Sequence, residues 1–209
     1  MKLYDSRIPS GNAYKVHLLL RQLGIAYTVE ELDILATPSQ TRQPAFLAKN
    51  PNGRIPVLEL ADGTYLPESN AILYYLAEGT RYLATERLER AQTLQWMFFE
   101  QYSHEPYVAV LKFWTYWGGL DHLSSEMRER LQLRGQAALD VMGQHLSRRS
   151  FFVGERYGIA DIALFAYTQT AAGIGYSVSP PVERWLDRVR AQPGHVPIKP
   201  DPVGQVPRG

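Results

Sequence analysis

Between Val16 and Leu23, apolar residues recur at helical spacing (16, 19, 20 and 23), and Gly24 follows where a helix commonly ends. Ser10-Gly11-Asn12 supplies the start signal for this helix. Before it, Lys2 to Asp5 suits a short strand. After it, Tyr27 to Ile34 is rich in strand formers, with Tyr27 and Val29 on one face. Thr41 to Lys49 reads as a short helix with Pro44 near its start. Pro56 to Leu60 is a compact apolar strand, and Thr64 to Pro67 pairs with it across Asp62-Gly63, a strong hairpin signal. Ser69 is expected to cap a helix whose Ile72, Leu73 and Leu76 face inward. The predicted order is βαβ, a helix, a β-hairpin and a final helix.

From Glu86 onward the pattern is helical almost throughout. Glu86 to Trp117 predicts one long aromatic-rich helix or a kinked pair, bent near Pro106, which removes an interior hydrogen bond. Ser124 to Leu146 predicts a second long helix. Gly158 to Gly173 is apolar nearly all round, which implies burial. Pro181 to Arg190 predicts a last short helix. The implied organisation is a first domain over 1–77, a linker over 78–85, a helical domain over 86–192 and an extended, Pro-rich tail over 193–209.

Composition narrows the function. The 209 residues carry 22 Lys+Arg against 21 Asp+Glu, which leaves no electrostatic footprint for nucleic acid or a membrane surface. The absence of Cys excludes disulfides, thiolate metal sites and a cysteine nucleophile. Five scattered His without paired spacing argue against a metal site. The N-terminus has no secretory pattern and no stretch reaches the ~20 apolar residues of a membrane span, so a cytoplasmic protein is expected.

The most informative segment is Asn52-Gly53-Arg54-Ile55-Pro56-Val57-Leu58. A Pro opening a strand in this topology suggests a cis Ile55–Pro56 bond that turns the Ile55 N–H and C=O outward, toward an extended peptide ligand; the alternative is an ordinary trans Pro at a strand edge. Twelve residues later Glu68-Ser69 stands at a helix start. Helix N–H groups and a hydroxyl make a carboxylate site there, and an acid beside an anion site makes sense if it also meets an ammonium. A ligand with both groups on one carbon fits. The other reading of Ser69, a plain N-cap, is compatible with this one.

The runs Ile55-Pro56-Val57-Leu58 and Leu66-Pro67-Glu68-Ser69-Asn70-Ala71-Ile72 resemble the glutathione-binding half of cytosolic glutathione S-transferases. Gly158-Ile159-Ala160-Asp161 resembles that family's folding motif, with Gly158 where a hydroxyl cap is usual. The resemblance spans 1–192. It implies a thioredoxin-like N-terminal domain followed by an all-helical one. It also implies that Glu68 and Ser69 hold the γ-glutamyl end of glutathione, that the Ile55 backbone pairs with its cysteinyl unit, and that Lys49, Asn50 or Arg54 meets its glycyl carboxylate.

Ser10 sits where serine-type members place the hydroxyl that stabilises the thiolate, with Asn12 as assistant or substitute. Tyr4 is the rival, and a plain helix cap is the alternative for Ser10 and Asn12. The chemistry needs such a donor, since a thiol of pKa ~8.5 is only about 3% ionised at pH 7. Of the long helix's aromatic set, most members are expected in the core. Tyr102, Tyr107, Phe113 and the polar His104 are expected to line the electrophile pocket. The implied function is detoxifying conjugation of glutathione, a co-substrate, to small apolar electrophiles by a homodimer whose 64–75 segment faces its partner. Glutathione-dependent disulfide reductase or peroxidase chemistry is the near alternative, and a non-catalytic binding module the distant one.

Overall fold

A computed structural model describes residues 1–201, and the 202–209 part of the expected tail lies outside the described residues. The chain divides into two compact units, one comprising Met1–Thr80 with Pro193–Pro200, the other beginning at Arg81 and running to Gln192, with Asp201. The expected tail is therefore not a uniform appendage, because its first eight residues belong to the N-terminal unit.

In the N-terminal unit, β1 (Lys2–Ser6), β2 (Thr28–Leu32), β3 (Val57–Glu59) and β4 (Tyr65–Pro67) form one sheet in the order β2-β1-β3-β4. β1 runs parallel to β2 and antiparallel to β3, which runs antiparallel to β4. The parallel pair needs the crossover helix α1 (Gly11–Gln22), while β3 and β4 need only the Asp62-Gly63 turn, in which Gly63 takes φ +85°. Alternation along the strands separates two faces. Asp5, with Leu3, points toward α1, where it meets His17. Tyr4, Val57 and Tyr65 point the other way and pack with Phe46 of α2 (Pro44–Leu47). α3 (Ser69–Ala77) packs beside α1. Glu68, not Ser69, is its N-cap residue, so the capping role expected of Ser69 moves back by one.

The helical unit contains α4 (Arg87–Phe99), α5 (Glu105–Phe113), α6 (Ser125–Leu146), α7 (Ile159–Thr168) and α8 (Pro180–Arg190). Glu86 and Ser124 cap α4 and α6 by accepting from Glu89 N–H and Met127 N–H. Pro106 breaks the long helix as its missing N–H requires. The break takes the form of a π-helical turn over Glu100–His104, with Pro106 inside the first turn of α5. A second π-helical turn, Trp114–Gly118, ends α5.

All ten residues of α7 are buried. Asp161 anchors it, accepting from Gly158 N–H (3.0 Å) on one oxygen and from Phe152 N–H (3.2 Å) and Trp185 Nε1–H (2.9 Å) on the other. The glycine at 158 has a steric cause. A Cβ there would lie 2.9 Å from the Tyr82 carbonyl oxygen, which accepts the first helical N–H, from Ile159, at 3.0 Å. A neighbouring carbonyl thus satisfies one of the four N-terminal donors of the helix.

Candidate functional site

The start of α1 and the start of α3 carry the polar residues of the N-terminal unit's α-helical face. Ser10 caps α1 with extended backbone (φ −102°), and its Oγ accepts from Ala13 N–H at 3.3 Å. A hydroxyl used this way still has its proton to donate. Asn12, two residues on, turns toward α3. Its Oδ1 accepts from Lys15 Nζ at 2.8 Å and from Ser69 Oγ at 3.3 Å, while Lys15 Nζ lies 3.4 Å from Ser69 Oγ. Lys15 is 0% exposed and Ser69 is buried. An ammonium group therefore sits inside the fold beneath the first residue of α3.

Above that cluster the backbone is forced. Glu68 adopts φ 71°, ψ 111°, a conformation that costs a non-glycine residue about 1–3 kcal/mol. Its side chain is exposed and makes no capping bond. Strain of this kind persists where surroundings over-determine it, and it concentrates at ligand clamps. The Ile55–Pro56 peptide is cis. Ile55 is half-buried, immediately ahead of β3.

The residues expected around the glycyl carboxylate are dispersed. Lys49 stands on the opposite sheet face, its Nζ 3.0 Å from Tyr65 OH and over the Tyr4 and Tyr65 rings. Asn50 is buried and ties its own loop, donating to the Arg54 carbonyl at 2.8 Å and accepting from Asn52 N–H at 3.1 Å. Arg54 is exposed. Of the three, Arg54 alone presents its side chain to solvent beside Ile55. Tyr4 leaves the list of thiol donors. It is buried on the Phe46 face, its OH donates to Glu59 at 2.6 Å, and burial with that bond raises its pKa above the usual phenol range.

On the helical unit the expected pocket residues also separate. His104 is 0% exposed and its Nε2 lies 3.0 Å from Thr168 Oγ1, so it is a core histidine. Tyr102 is 84% exposed, on the other side of the same π-helical turn. Residues two apart do not share a helix face, so these two separate here as they would in a regular α-helix. Tyr107 and Phe113 are half-buried on α5, and Phe113 packs against Trp114 and Trp117.

The sequence reading missed Lys15. A lysine on a solvated helix is unremarkable, but this one stands between Tyr14 and Val16 in a run of buried residues, three positions after Asn12. Its place on the inward arc was the available signal. Among the described residues no group of His, Asp or Glu could hold a metal ion, and no described helix is long and apolar enough to cross a membrane.

Comparison with known proteins places this geometry. Residues 9–78 match the glutathione S-transferase N-terminal domain, and residues 126–188 match the C-terminal domain of the same family. The crystal structure of a glutathione S-transferase from Pseudomonas fluorescens Pf-5 is 51% identical, with TM-score 0.86 over 94% of this chain and 97% of that one. A second family member from the same organism, solved with two glutathione molecules bound, is 30% identical, with TM-score 0.79 over 92% of this chain and 89% of that one. The disulfide-bond oxidoreductase YfcG of Escherichia coli (strain K12) is 33% identical over 88% of both chains. With both domain models matched and these relatives aligned over nearly their whole length, the chain belongs to the glutathione S-transferase family.

Proposed function

We propose that this protein binds glutathione at the starts of α1 and α3 and activates it as a thiolate that attacks small apolar electrophiles. The observation that carries the reading is the buried Asn12–Lys15–Ser69 cluster beneath an exposed, strained Glu68. The γ-glutamyl carboxylate takes the first N–H groups of α3 and the Ser69 hydroxyl, where the helix end and the Lys15 ammonium both favour negative charge. Glu68 takes the ammonium on the same carbon. The Ile55 main chain pairs with the cysteinyl unit, and Arg54 is the cation nearest to hand for the glycyl carboxylate.

The thiol then lies at the start of α1. Ser10 donates its O–H to the sulfur while accepting the cap bond from Ala13. Asn12 holds Ser69 and Lys15 in place. Deprotonation releases the thiol proton to solvent. The thiolate attacks the electrophile's carbon, and the leaving group departs with its electron pair. A charged hydrogen bond and a helix N-terminus supply roughly 2–4 kcal/mol, enough for a drop of about two pKa units in the bound thiol. The exposed Tyr75 on α3 supports a homodimer through 64–75.

The similarity to a disulfide-bond oxidoreductase favours a second reading in the same site. With no Cys in the chain, the thiolate attacks a disulfide sulfur instead, and a second glutathione resolves the mixed disulfide.

Ultraviolet absorbance of the bound thiolate against pH tests the shared step. The expected pKa of bound glutathione is well below that of the free thiol, and it rises in Ser10→Ala. An unshifted wild-type value overturns thiolate activation. A low value that moves in Asn12→Ala and not in Ser10→Ala transfers the donor role to Asn12. Turnover of an activated aryl halide against turnover of a small dialkyl disulfide then separates the two chemistries.

A further inference from the structure

Lys112 stands in the last turn of α5 and is 2% exposed, and the glutathione reading gives it no task. An ammonium carries three donors, and burying it is costly unless it is both paired and hydrogen-bonded. Among the described residues it meets a single opposite charge, with its Nζ 3.0 Å from Asp201 Oδ1. The contact is ionic without being aligned as a hydrogen bond, since neither atom has a hydrogen-bond partner among the described residues. Burial pulls the Lys112 pKa down, and the Asp201 charge opposes that shift without cancelling it.

A buried ion pair built for structure has close geometry and further hydrogen bonds to each partner. Asp161 shows what that looks like in the same unit, with three N–H donors on one carboxylate. Asp201 has none of this. It lies in neither helix nor strand, and its side chain is 13% exposed, more than the ammonium it faces. The surroundings instead suit an exchangeable carboxylate. Lys112 Nζ lies 5.6 Å from the centre of the Trp117 ring, within reach of a cation–π contact. Trp117 packs against Phe113 and Tyr116. Burial and the Asp201 charge together raise the Tyr116 pKa, so this phenol keeps its proton at neutral pH and lies within the field of the carboxylate. A cation beside aromatic faces offers a carboxylate its counter-charge and offers an attached apolar body a surface.

We propose that the Lys112 ammonium, bordered by Trp117 and Tyr116, is a carboxylate-binding site that the chain fills with its own Asp201, and that a small monocarboxylate with an apolar body competes with Asp201 for it. The exchange replaces one anion by another, so the buried ammonium is neutralised before and after. The incoming ligand gains the indole face as well, which the short Asp201 side chain does not use. A neutral isostere gains that face but leaves Lys112 without a counter-charge.

The test is calorimetric titration of butyrate, and of its neutral isostere butyramide, into the full-length protein with glutathione saturating, which keeps the probe off the Lys15 cluster. Wild type is expected to bind one butyrate per chain and no butyramide. Asp201→Asn removes the internal competitor and leaves Lys112 charged, so butyrate binds about tenfold more tightly. Lys112→Met keeps the length of the side chain and abolishes butyrate binding, which assigns the probe to this site whatever the fate of the glutathione reading. Circular dichroism checks the fold of each variant, and Asp201→Asn, outside every helix and strand, decides the matter if Lys112→Met does not fold. Butyrate bound no more tightly by Asp201→Asn than by wild type overturns the proposal. So does equal binding to wild type and a folded Lys112→Met protein, the absence of binding to Asp201→Asn, or butyramide bound as tightly as butyrate.

Discussion

Each unit of this protein buries an ionisable group near the start of a helix, and the two groups are treated in opposite ways. In the helical unit, the Asp161 carboxylate is closed off by three N–H donors from Gly158, Phe152 and Trp185. Each donor belongs to the same unit, and each is spent on structure. In the N-terminal unit, the Lys15 ammonium lies between Asn12 and Ser69, and the chain beside it is strained at Glu68, whose carboxylate is exposed. The first cluster is complete without a ligand. The second holds charge and strain beside a helix end that attracts anions. Burial alone does not separate the two. What separates them is what stands beside the charge: three donors spent on structure at Asp161, and a strained backbone with an exposed carboxylate at Lys15.

The largest expected effect comes from the closed cluster. Asp161→Ala strands three buried donors, one of them the Trp185 indole N–H, and costs roughly 3–5 kcal/mol of stability. Denaturant unfolding measures it. Burial also pushes the Asp161 carboxyl up to about 7, so the native state holds a proton that the unfolded state releases near pH 4. That contribution is fully present below about pH 4 and is lost as pH rises through about 7, and Asp161→Ala removes this slope. A variant that unfolds at the wild-type denaturant concentration would mean the three bonds carry nothing, and the comparison fails at its firmer end.

The open cluster predicts a different profile. Lys15→Met keeps the length and apolar stem of the side chain and removes the ammonium. Removing it takes a donor from Asn12 Oδ1, which keeps the Ser69 hydroxyl, so stability falls by about 1–3 kcal/mol, less than in Asp161→Ala. Glutathione affinity falls by about tenfold or more, because the carboxylate loses its buried counter-charge and Ser69 loses a partner. Calorimetry of glutathione binding beside a melting curve reads both. Should the variant melt early and bind normally, Lys15 is a structural residue like Asp161 and the distinction between the clusters collapses.

The same contrast explains what the sequence reveals. Elements set by local chemistry are legible: the Asp62-Gly63 hairpin, the Ser10, Glu86 and Ser124 caps, and the break at Pro106. So is the topology, because periodicity switches with each element. Features set by distant partners are not. Lys15 becomes special only when α3 arrives 54 residues later, and the 193–200 segment, read as tail, is held by Tyr14 across 182 residues. Lys49 looks like a carboxylate partner until Tyr65, on the far face of the sheet, claims it. Tyr102 and His104, both expected at one pocket, part because residues two apart take opposite sides of a helix, one exposed and one in the core. The glycine at 158, which departs from the family's pattern, turns out to be required by the Tyr82 carbonyl. Of the candidate site, the sequence names Ser10, Asn12, Glu68 and Ser69, and the structure joins Asn12 to Ser69. The cation that joins two of them was not.

The smallest expected effect is also the one that separates strain from chemistry. Glu68 holds φ 71° where glycine has no penalty, so Glu68→Gly removes backbone strain. The unfolded chain gains freedom at the same time, which offsets part of the gain, and the net stabilisation is about 1 kcal/mol or less. The side chain is exposed and makes no cap bond, so its loss costs the fold nothing further. Glutathione binding weakens, because the ammonium of the ligand loses its carboxylate. Glu68→Gln separates the two terms: it keeps the strain and the side-chain length and loses the charge. Thermal melts are expected to rank Gly above wild type with Gln equal to it, whereas affinity ranks wild type above both. If Glu68→Gly melts below wild type, the left-handed backbone at this position is not strained, and the fold rather than the ligand is what selects glutamate there.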